Sequence, residues 1–210
     1  MIPISEEFPI GKLIEKYKSK TDVHDVFGVI LYTEASPHVI KALRDADFWK
    51  ALNTTSGPRW PIFSIRPAQG CNTTTWPKSH SNAMQAMIQI HKWHEPAENK
   101  KLINFFNIKD TSDLPLFIIF AKGSDGEVLQ AKFKISGDNA DECFNSLHKA
   151  VAVAAEAIKD VHEENIKNTS EVFSLMEGAL QQHVGFCRIK KGLNFATWVQ
   201  SIGSLFGVVG

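Results

Sequence analysis

The chain has 210 residues and a mass of 23.4 kDa, with 43% hydrophobic and 22% charged residues, 13 Gly and 9 Pro. This is the composition of an ordinary globular protein, and it excludes collagen-like, low-complexity and wholly disordered chains. Lys plus Arg and Asp plus Glu number 23 each, so no global field draws the chain onto nucleic acid, and nucleic-acid binding is not expected.

A length of this order suits one domain of roughly 150 residues with a helical appendage. The first eight residues carry Glu6 and Glu7 and neither a basic start nor a continuous apolar run, against a secretory leader. Cys71, Cys143 and Cys187 are odd in number, far apart and without metal-site spacing, which fits a reducing compartment; the cytoplasm is the expected location.

In chain order, Glu6 to Lys18 places Phe8, Leu13, Ile14 and Tyr17 near helical spacing and predicts a short amphipathic helix. Val26 to Tyr32 is a nearly continuous apolar run, the pattern of a central strand covered on both faces. Ser36 and Pro37 then supply a helix cap and a first helical residue whose missing N–H costs nothing. The helix they open runs through Val39, Ile40, Leu43, Trp49 and Leu52 and stops at Gly57 and Pro58.

Trp60 to Ile65 reads as a second strand, parallel to the first across a right-handed helical crossover. The polar stretch Ala68 to Ser81 is a long loop, and Met84 to Trp93 fits both a helix and a strand, with the strand preferred. Pro96 opens another helix containing Leu102, Ile103, Phe105 and Phe106. Leu114 to Phe120 and Val128 to Ile135 then flank a turn at Gly123 to Gly126, an antiparallel hairpin. From Asp141, Phe144, Leu147, Val151, Ala154, Ile158 and Val161 form one apolar stripe, so a long helix covers the sheet.

The stretch from Lys101 to Ile108, followed by Leu114-Pro115-Leu116-Phe117-Ile118-Ile119-Phe120, Gly123, Gly126-Glu127-Val128 and Gly137, resembles the thioredoxin-like superfamily over about Val26 to Ile158. The resemblance implies an α/β fold, a thioredoxin-like three-layer sandwich. Its parts would be a domain over 1–160, an insertion at about 68–93 and a helical extension over 161–210. It also implies a cis peptide bond between Leu114 and Pro115. The family's redox chemistry needs two cysteines separated by two residues at a helix start, where the helix end stabilises a thiolate. Here Ser36 and Val39 occupy those positions, so dithiol exchange is not expected.

The candidate ligand residues are therefore Ser36, His38, Leu114 and Pro115. Cys71 joins them if the insertion folds back over the helix start. By the resemblance, the Ser36 hydroxyl would bond a glutathione-like thiol, and the plainer reading makes it a helix cap. His38 is a proton carrier or simply an exposed histidine. His80, His91, His94 and Glu95 lack diagnostic metal spacing, so no metal or cofactor is assigned.

From Gly192 to Gly210 the chain has no charge, and Phe195, Trp198, Val199, Ile202, Leu205 and Phe206 recur at helical spacing. This amphipathic helix would pack on its own chain or a second copy, bind a protein partner in a groove, or lie on a membrane surface, in that order of preference. The resulting expectation is a redox-inactive binding or assembly module with a protein partner or self-association. Its alternatives are a glutathione- or single-cysteine-dependent enzyme and a scaffold for the terminal helix.

Overall fold

The computed structural model describes residues 1–4, 10–18, 20, 24–65, 67, 97–123, 126–159, 161, 168–184, 187–188 and 191–194. In chain order its elements are β1 (Ile2–Ile4), α1 (Ile10–Lys18), β2 (Val26–Leu31), α2 (Pro37–Arg44), α3 (Ala46–Ser56), β3 (Ile62–Ile65) and α4 (Ala97–Phe105). After a short 3-10 turn at Thr111–Asp113 come β4 (Leu116–Lys122), β5 (Glu127–Lys134), α5 (Ala140–Ala157), α6 (Thr169–Val184), β6 (Cys187–Arg188) and β7 (Lys191–Asn194).

The two apolar runs of the sequence become the centre of a mixed sheet. β2 and β4 lie antiparallel, from Val26 opposite Ala121 to Leu31 opposite Leu116. Val26 and Ile30 of β2 and Phe117, Ile119 and Ala121 of β4 enter one core cluster; Phe27, Val29 and Leu31 with Leu116, Ile118 and Phe120 enter the other. A strand buried on both faces has no solvent side on which to place polar residues, which is why both runs read as continuously apolar.

The strand order is β1-β3-β2-β4-β5-β6, with β7 also on β5. β1 and β2 flank β3 in parallel, and β4 and β5 form the antiparallel hairpin. Helices cover both faces. α2, α3, α5 and α6 supply Val39, Leu43, Leu52, Leu147, Val151 and Phe173 to the first cluster. α1 and α4 supply Ile10, Leu13, Ile14, Leu102 and Ile103 to the second, where Phe27 packs against Phe63 and Phe120 at ring-centroid distances of 5.9 and 5.6 Å.

Several expectations need correction. The single helix expected from Pro37 through Leu52 is two, because Asp45 leaves helical geometry (φ −67, ψ 123) and its side chain accepts from the N–H groups of Asp47 (2.9 Å) and Phe48 (3.1 Å). Capping a new helix satisfies donors that would otherwise be orphaned there. The strand Ile2–Ile4 has no counterpart in the sequence reading, while the helix expected over Glu6 to Lys18 is present over Ile10–Lys18, its first four residues lying outside the described residues. The strands expected at Trp60 and Leu114 begin two residues later, at Ile62 and Leu116, each directly after a proline that has no N–H to give a ladder.

At the far end, the helix expected from Gly192 does not begin there: Lys191–Asn194 is a strand, with Lys191 opposite Val128 and Asn194 opposite Glu127. An unpaired β5 edge offers a row of backbone partners that this segment takes. The six residues Phe195, Trp198, Val199, Ile202, Leu205 and Phe206, and the ambiguous segment 84–93, lie outside the described residues. Within the stretch expected to be a helical extension, α6 packs against α5, β4 and β2, and buries Val172, Phe173, Met176 and Leu180 in the first cluster.

Candidate functional site

The ends of β2 and β4 bring the sequence-derived candidates to one end of the sheet. One step beyond the last pair of the β2–β4 ladder, Leu31 with Leu116, the register sets Tyr32 level with Pro115. The peptide bond between Leu114 and Pro115 is cis. The Pro115 carbonyl accepts from the N–H of Ile135 at 3.0 Å, which ties this turn to the end of β5.

Between Tyr32 and α2 the chain folds into a tight turn. Ser36 N–H donates to the Thr33 carbonyl (2.9 Å), and Ala35 N–H donates to Thr33 Oγ1 (3.3 Å). Ser36 is buried at 7% exposure, and its hydroxyl oxygen accepts from Thr33 N–H at 3.5 Å rather than from any N–H of the helix it precedes. The expected side-chain cap is therefore absent. With φ −110 and ψ 61 at Ser36, the hydroxyl closes the turn behind it, and Pro37 at the first helical position leaves one fewer donor to satisfy. His38 is exposed and Val39 is buried.

Leu114 is buried at 7% exposure, and its N–H is spent on the Thr111 carbonyl (3.1 Å). That turn is itself held by Asp110, whose side chain accepts from Ser112 N–H (2.8 Å), a bond that lowers the Asp110 pKa. Of the four candidates, His38 and half-buried Pro115 present surface, while Ser36 and Leu114 are turned inward.

Two buried polar residues, neither singled out by the sequence, brace this end. The Tyr32 hydroxyl donates to the Ile65 carbonyl, and Asn99 Nδ2 donates to the Tyr32 carbonyl. Burial pushes the Tyr32 phenol well above its ordinary pKa, against a smaller opposing effect of Arg44, so the group is a neutral bolt between β2 and β3. No periodic pattern marks either residue, because the partners are main-chain carbonyls set by the fold.

Cys71, His80, His91, His94 and Glu95 lie outside the described residues. Among the described residues, no group of three His, Cys, Asp or Glu side chains could hold a metal ion, and no helix is long and apolar enough to cross a membrane. Cys143, at the start of α5, is buried as a free thiol, with Sγ 3.5 Å from the Gly137 carbonyl. Burial, then the carboxylates of Glu142 and Asp138, raise its pKa, which leaves it the less reactive thiol form near neutral pH. Native protein treated with iodoacetamide at pH 8 should therefore modify Cys143 at least about tenfold more slowly than urea-unfolded protein, as read by peptide mass spectrometry. Compared with protein-family models, curated proteins and solved structures, the chain matches none.

Proposed function

We propose that the chain is a thioredoxin-like binding or assembly module that has no dithiol oxidoreductase activity and works in a reducing compartment with a protein partner or a second copy of itself. The arrangement supports the thioredoxin-like reading: two parallel strands joined by a helical crossover, then an antiparallel hairpin, with β2 and β4 adjacent and a cis bond before Pro115, which the register sets level with Tyr32. The reducing compartment rests on the three cysteines of the sequence, Cys71, Cys143 and Cys187, odd in number and far apart.

One observation carries the redox-silent part. Where the superfamily's thiols would stand, the chain has Ser36, whose buried hydroxyl is engaged by Thr33 N–H, and Val39, which sits in the core. A hydroxyl has neither the thiolate chemistry nor a second sulfur with which to pass on a disulfide. In an insulin-reduction assay driven by dithiothreitol, the chain should give the rate of dithiothreitol alone, and glutathione should produce no saturable response. Turnover above that rate that is lost in Ser36→Ala overturns the proposal.

A further inference from the structure

We draw no further inference here: the strongest candidate, the half-buried stack of Phe48, Phe144 and His148 on the surface where α3 packs against α5, is an apolar patch, and nothing in the structure shows what covers it.

Discussion

Phe173→Ala is expected to lower unfolding stability by about 3–5 kcal/mol, while Leu175→Ala, two residues on along the same helix, changes it by no more than about 0.5 kcal/mol. Urea denaturation followed by circular dichroism checks both. Phe173 is 1% exposed among Val172, Met176 and Leu180, and α6 lies on α5 and the sheet. Removing the ring forfeits its transfer from water and leaves a hole that α5 and β4 cannot collapse into. Leu175 is 43% exposed, so its truncation creates no cavity. The pair separates two pictures of the chain after residue 160. If both variants behave alike, α6 is an appendage; if they differ as stated, it is part of the one core.

Gly137→Ala is expected to cost at least about 3 kcal/mol, beyond the about 1–2 kcal/mol of an unfavourable backbone conformation alone. Gly137 has φ +155, and a Cβ there would sit 2.5 Å from the Cys143 nitrogen and 2.8 Å from the Glu142 carbonyl carbon. Those are main-chain atoms of the first turn of α5, with no flexible end to swing away. That turn is also closely fastened. Asn139 Oδ1 accepts from Glu142 N–H (2.9 Å), while Glu142 Oε2 accepts from Asp138 N–H (2.8 Å) and Oε1 from Asn139 Nδ2 (2.8 Å). Gly126→Ala is the control: its φ is +84 but nothing lies within 4 Å of the added carbon, so it should lose only about 1–2 kcal/mol in the same urea titration. Equal losses at the two glycines would mean that backbone conformation, not collision, sets the effect.

The parts of this fold that were legible in advance are those whose energetics are written in composition. Twofold burial requires an uninterrupted apolar run, so β2 and β4 could be read directly, although the β4 ladder begins only after Pro115, two residues beyond the expected start at Leu114. The stripe from Phe144 to Ile158 likewise located α5. Other features depend on partners that sequence spacing does not show. The break at Asp45 is hidden because Leu43, Ala46, Trp49 and Leu52 keep a near-helical rhythm across it, and one side chain's choice to cap decides the matter. β1 has three residues, one of them a proline, too short for any period. The Ser36 hydroxyl could equally have capped α2; the geometry of Thr33 turned it the other way.

The outermost strand beyond β3 has a bearing on how the molecule behaves when concentrated. β1 spans only Ile2–Ile4, and its middle residue, Pro3, is exposed and has no amide hydrogen. Stacking of sheets edge to edge between molecules needs a run of donors and acceptors at regular intervals, and this border interrupts such a run at its centre. Among the described residues, fibril-like growth is therefore blunted on that side of the sheet.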